Sequence, residues 1–221
     1  NKQAIEILNK IREKDREEKI EYLNYLKGQK QREEMIKRFF NELNFHDITL
    51  KASKKAVEFL GAKKLDTGYY PVIFSQEVGC EFIGILASSF SAFSVQKEVS
   101  LLKDKLKQKV CSDKINIIDD GTLMPGIATS SFDDEGSPRQ KTIIIKDGIL
   151  LNYLYDVYTA NKDNVKTTGN ASRSHSGIPH PEHSNIYISS GHISFEDLLK
   201  EMGTGIYIIE TMGMHLSLIH I

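Results

Sequence analysis

Apolar positions recur every three to four residues through the first part of the chain, and farther on they gather into short β-branched runs between glycine turns. The helical rhythm begins with Ile5, Leu8 and Ile11, resumes with Leu23 and Leu26, and returns with Met35, Ile36, Phe39, Phe40 and Leu43. Gly28 divides this region into two predicted helices. Arg12 to Lys19 are eight consecutive charged residues of both signs, which reads as a solvated helix face and not as a nucleic-acid arm. Asp47 is placed to cap a helix running to Leu60, with Gly61 as its stop and Leu50, Val57 and Leu60 inward. Asp66-Thr67-Gly68 predicts a turn and Tyr70 to Phe74 a strand. Ser75 then caps a helix with the stripe Val78, Phe82, Leu86 and Phe90.

Farther on, Lys103 to Lys109 predicts a short helix or an edge segment. Ile115 to Ile118 predicts a strand ending at Asp119-Asp120-Gly121. The clearest local signal follows. The β-branched run Thr142 to Ile145 meets Asp147-Gly148, and a second apolar run continues from Ile149 to Tyr155. Asp-Gly between such runs predicts a type I′ hairpin, because that turn needs positive φ at both central residues. Asn161 to Ile178 reads as a polar loop. Asn185 to Ser189 reads as a strand, Ser194 as the start of a capping box for a helix over Phe195 to Met202, and Gly205 to Glu210 as a last strand. The expected fold class is α+β: N-terminal helices, then a mostly antiparallel, curved β-sheet region with glycine-rich turns.

Composition narrows the class. The 221 residues are 40% hydrophobic and 27% charged, as in a soluble globular protein large enough to bury a core. A net charge of −1 gives no general field toward nucleic acid or an anionic membrane. The longest mostly apolar run, Phe82 to Phe93, is broken by serines and too short to span a bilayer. No signal peptide is visible, and two cysteines, Cys80 and Cys111, suggest a reduced, cytoplasmic setting. A first residue other than Met suggests a fragment.

Candidate chemistry is sparse. Asp133-Asp134-Glu135 repel one another unless solvated or given a cation, so they are either an acidic turn or a site that grips a backbone or partner. His175, His180 and His183 lie close in sequence, but prolines intervene and no cysteine completes a zinc set. There is no Gly-x-Ser-x-Gly elbow, and the glycines lack the spacing of a phosphate cradle. Cys80, beside Glu81, is expected to be a buried structural thiol.

Several of these segments, taken in order, resemble the TldD/PmbA (modulator of DNA gyrase) metallopeptidase family. The motifs are Asp133 to Gly136, Arg139-Gln140, Ile143 to Ile145, Gly148, Tyr153 to Asp156 and Thr168-Gly169-Asn170. Pro179, Pro181, Ser184, Asn185 and Gly205-Ile206-Tyr207 complete the series. The resemblance covers about Asn44 to Gly213. It divides the chain into a charged helical segment (1–43), a helix-strand-helix region (44–112), a β-rich C-terminal domain (113–215) and a tail (216–221). That tail, Leu216 to Ile221, resembles translated adapter sequence and is expected to be non-native, leaving the sheet short of strands.

In the catalytic members a His-Glu-x-x-x-His helix holds zinc and supplies the base. Alignment on Val78-Gly79 puts Ser75 and Cys80 in the histidine slots and Gln76 in the glutamate slot. Glu77 points about 100° away. The resemblance therefore implies the PmbA/TldE branch: a subunit without a catalytic or metal-binding residue of its own, paired in the cytoplasm with a TldD-like metallopeptidase subunit that carries the zinc. The substrate it implies is an unfolded or extended peptide, such as the leader of a peptide antibiotic. Neither nucleic acid nor membrane is an implied partner. Asp133, Asp134, Glu135, Gly136, Thr168, Gly169, Asn170 and Asn185 are the expected substrate- or partner-binding residues, and strand addition is the expected mode of grip. The alternatives are a stand-alone peptide-binding or chaperone-like module, and an independently active peptidase using His175, His180 and His183.

Overall fold

A computed structural model describes residues 37, 40–58 and 63–211. The Arg12 to Lys19 charge run, Gly28, Leu60, Gly61 and the Leu216 to Ile221 tail lie outside the described residues. The chain forms two compact units, residues 1–67 and 68–221. In the first, helix α1 spans Phe45–Glu58 and begins before Asp47. Asn44 is the residue at its start: its side chain accepts from the Asp47 backbone N–H at 3.3 Å and donates to the Asp47 carboxylate at 2.7 Å. Asp47 thus sits in the first turn, where a negative charge suits the helix dipole.

The second unit has the order β1 (Val72–Phe74), α2 (Gln76–Ala87), α3 (Ala92–Gln96), β2 (Ile117–Asp120), β3 (Lys141–Lys146) and β4 (Ile149–Leu150). It continues with α4 (Val157–Asp163), β5 (Ala171–Ser172), β6 (His180–Pro181), β7 (Ile186–Ile188), α5 (Phe195–Met202) and β8 (Ile206–Ile208). One sheet runs antiparallel in the order β4-β3-β2-β7, and β5-β6 is a small antiparallel pair. The exception is β1-β8, which pairs parallel across most of the unit. The fold is α+β, as expected.

The β3-β4 turn forms as predicted, with Asp147 at φ 49° and Gly148 at φ 75°. Gly148 is needed twice over: a Cβ there would lie 2.5 Å from the Cys111 carbonyl oxygen. The second strand is shorter than its apolar run. After Leu150 the chain turns away, and Leu154 exchanges backbone bonds with Phe90 and Ala92 at 2.8 and 2.9 Å. Lys103 to Lys109 is an edge segment and not a helix, since Lys109 bridges to Ile149.

Two further expectations are corrected. Part of the Asn161 to Ile178 loop is ordered: α4 starts at Asp156, whose carboxylate accepts from the Thr159 N–H at 2.7 Å, and β5 lies within the span. On α2 the buried positions are Val78, Ile83 and Ala87, so the inward face is rotated from the predicted Val78, Phe82, Leu86 stripe. Phe82 packs edge-on against Phe74 at 5.1 Å, and Leu86 stays exposed. The core joins Ile83, Phe90 and Ala92 to Ile117, Ile144, Ile145, Leu150 and Leu154. Each fully buried side chain of this kind contributes about 1.5–3 kcal/mol.

Candidate functional site

Helix α2 carries the slots that the resemblance singles out. Ser75, only 5% exposed, is its N-cap, as predicted. Its hydroxyl accepts from the Val78 N–H at 3.2 Å and donates to the Ile209 carbonyl at 3.4 Å. Gln76 and Cys80 are exposed. Cys80 is therefore not the buried structural thiol expected, because the α2 face that turns inward is the one through Val78 and Ile83. His175, His180 and His183 are all exposed, and among the described residues no three His, Cys, Asp or Glu side chains are grouped to hold a metal ion.

The acidic run is met by backbone donors. Each carboxylate captures backbone N–H groups. Asp133, 3% exposed, accepts from Glu135 and Ser137 at 3.0 and 2.8 Å through Oδ1, and from Ala171 at 2.9 Å through Oδ2. Asp134 accepts from Arg173 at 2.8 Å, and Glu135 from Val157, the first residue of α4, at 2.8 Å. Gly136, at φ 80°, closes the turn. Three adjacent acids thus tie three segments together.

A second network surrounds Thr168-Gly169-Asn170. Thr168 Oγ1 accepts from the Tyr155 N–H at 2.7 Å, and Thr167 Oγ1 donates to the Tyr155 carbonyl at 3.0 Å. At Gly169, φ is 67° and an added Cβ would stand 2.2 Å from the Pro138 carbonyl oxygen. Asn170 donates to Asp119 Oδ2 at 2.7 Å and to the Glu182 carbonyl at 3.0 Å. Asp119 also takes the Ser184 N–H at 2.7 Å and its hydroxyl at 2.9 Å. Asn185 accepts from Ala128 at 3.0 Å and donates to the Asp120 carbonyl at 2.8 Å, which pins the 121–130 loop. The predicted site residues therefore come together as two joined networks, in which each Asp, Glu, Thr and Asn side chain has at least one polar atom bonded inside the chain.

Two buried carboxylates, both 1% exposed, are missing from the predicted site residues: Asp119, the hub of the second network, and Asp156, the N-cap of α4. Asp156 had a signal, the Asp-x-x-Thr spacing of an N-cap. Asp119 had none, because its donors lie 51 and 65 residues away.

Between α2 and the sheet lies an apolar groove of about 440 Å3, lined by Phe82, Leu86, Leu101, Ile117 and Ile188 among others. It borders strand β7. Asn185 and Ser189 bond to β2, so the N–H and C=O groups of Ile186 and Ile188 point away from it, along an edge that no described strand covers. A second cavity, of about 310 Å3, brings Gly84, Ser88 and Ser94 together with His180, Glu182 and His183.

The family model for the PmbA/TldA metallopeptidase C-terminal domain matches residues 67–220, a span that takes in most of the Leu216 to Ile221 tail. The chain belongs to the PmbA/TldD metallopeptidase family. The metalloprotease PmbA homologue of Buchnera aphidicola is 35% identical over 170 residues, which is 77% of this chain and 36% of that one. Metalloprotease TldD homologues match as well. A Thermotoga maritima crystal structure superposes with a TM-score of 0.74 at 33% identity, covering 81% of this chain and 41% of that one. TldE from Thermococcus kodakarensis gives 0.68 at 25%, covering 78% and 39%. The chain thus spans well under half the length of these relatives. Among the described residues, no helix is long and apolar enough to cross a membrane.

Proposed function

We propose that this chain acts as a PmbA/TldE-type subunit beside a TldD-like metallopeptidase subunit in the cytoplasm, and that the pair cleaves unfolded or extended peptides. In this reading the partner carries the zinc and this chain has no catalytic centre of its own. The observation that supports it is the state of Ser75. A histidine slot is filled by a hydroxyl committed to capping α2 and to Ile209, while Gln76 has no basic group and Cys80 stands alone. These residues do not fit a zinc site.

The β7 edge suits the substrate side of this role. An extended peptide paired to Ile186 and Ile188 would bond through its backbone, which reads no sequence, and would lay alternate side chains over the apolar groove. Asp133, Asp134, Glu135, Gly136, Thr168, Gly169, Asn170 and Asn185 contribute by holding the surrounding loops.

The test is zinc content and peptidase activity of the full-length protein, alone and with a TldD-like chain. The expected result is negligible zinc, no activity alone, and restored activity in a co-purifying pair. Stoichiometric zinc with activity alone overturns the reading. Failure to bind any TldD-like chain overturns the partnership.

A further inference from the structure

Strand register places Ile145 of β3, Ile117 of β2 and Ile188 of β7 in one row, with Ile117 directly opposite each of the other two. Directly opposed residues of a sheet point to the same face. All three side chains line the groove of about 440 Å3, so the row points into the space between the sheet and α2. Ile145 and Ile117 are buried there, whereas Ile188, the last of the row, is exposed.

A peptide paired along Ile186 and Ile188 would add the next member of that row. Its residue opposite Ile188 turns its side chain to the groove face. So does the residue opposite Ile186, two positions along, and the residue between them turns to the other face. The walls available to those side chains are Phe82 and Leu86 of α2 and Leu101 of the 98–106 segment. Among the described residues, no charged side chain lines the groove, and its polar side chains are Ser89 and Cys111. Burial pushes the Cys111 thiol up, which keeps it protonated and uncharged. A carboxylate or ammonium group entering this space would lose its water and gain no partner.

We infer that this edge selects, among extended peptides, those carrying large apolar side chains at two alternate positions, i and i+2, opposite Ile186 and Ile188. The inference rests on the peptide-binding reading above and adds the substrate class to it. Two adjoining features point to this occupant. The unpaired backbone of β7 calls for a strand, and the uncharged groove beside it suits apolar side chains presented at strand spacing. A helix, whose backbone is bonded internally, would leave the β7 edge unpaired. The backbone contact accepts any sequence, and the groove is what discriminates.

The test is fluorescence anisotropy of the full chain with three labelled peptides: Thr-Leu-Thr-Leu-Thr, Thr-Leu-Leu-Thr-Thr of the same composition, and Thr-Asn-Thr-Asn-Thr. The first is expected to bind saturably. The second can turn only one leucine to the groove and should bind about tenfold more weakly, and the third more weakly still. Leu86→Asp and Leu101→Asp alter exposed residues of the groove, and a thermal melt checks that each variant folds. Each should weaken the first peptide about tenfold and narrow its lead over the second. Equal binding of the three peptides overturns the selection and leaves the peptide edge standing, whereas no saturable binding of any peptide overturns both. Unchanged affinity for the first peptide in both folded variants overturns the selection. So does sedimentation showing a dimer that either variant dissociates while peptide binding stays unchanged, since the face then belongs to a second copy of the chain.

Discussion

Replacing Asp119 by alanine tests whether buried carboxylates organise this unit. Three donors converge on that side chain: the Ser184 N–H, the Ser184 hydroxyl and the Asn170 amide. A hydrogen bond to a charged group contributes about 1.5–3 kcal/mol, so three give an upper bound of roughly 5–9 kcal/mol. The bonds share one acceptor group, and Asn170 keeps its bond to the Glu182 carbonyl, so the full sum is not lost. Removing Asp119 leaves the Ser184 N–H and hydroxyl, both neutral, without their acceptor; at about 1–3 kcal/mol for each unsatisfied buried donor, a loss of about 3–5 kcal/mol is expected for Asp119→Ala. For a unit of roughly 150 residues this lowers Tm by about 6–20 °C. The assay is urea unfolding of the full chain by far-UV circular dichroism, with Asn170→Ala and the double variant alongside. The double variant should be less destabilised than the two singles summed, by about 1–2 kcal/mol. A loss under about 1 kcal/mol for Asp119→Ala, or strict additivity, would refute the network.

Gly169→Ala should cost several kcal/mol, well above the roughly 1–2 kcal/mol of left-handed backbone alone, because the Cβ meets the Pro138 carbonyl; Gly136→Ala, with open space around it, should cost only the latter. Comparing their urea midpoints checks this, and equal losses would contradict it. Ser75→Ala should cost about 1 kcal/mol through the lost cap, read as a lower unfolding midpoint. Tyr155 has a folded pKa raised chiefly by burial and then by Asp163, so the folded state keeps its proton where the unfolded chain has lost it. Its contribution is complete below the unfolded tyrosine value of about 10 and declines as pH rises beyond it. The urea midpoint should therefore fall above about pH 10, and Tyr155→Phe should flatten that fall; an unchanged slope in the variant would count against it.

What the sequence determined by itself is local. The Asp147-Gly148 turn, the Ser75 cap and the Ser194 cap each need only residues within a few positions, and each forms where predicted. Family membership was equally legible, because ordered motifs survive without any knowledge of their contacts. Tertiary structure decided the rest. The parallel pairing of β1 with β8, the rotated inward face of α2 and the exposure of Cys80 depend on which surfaces the chain brings together after it closes. Asp119 shows the reason most plainly: two adjacent aspartates at a strand end look like a solvated turn until residues 51 and 65 positions away supply the donors that make burial favourable.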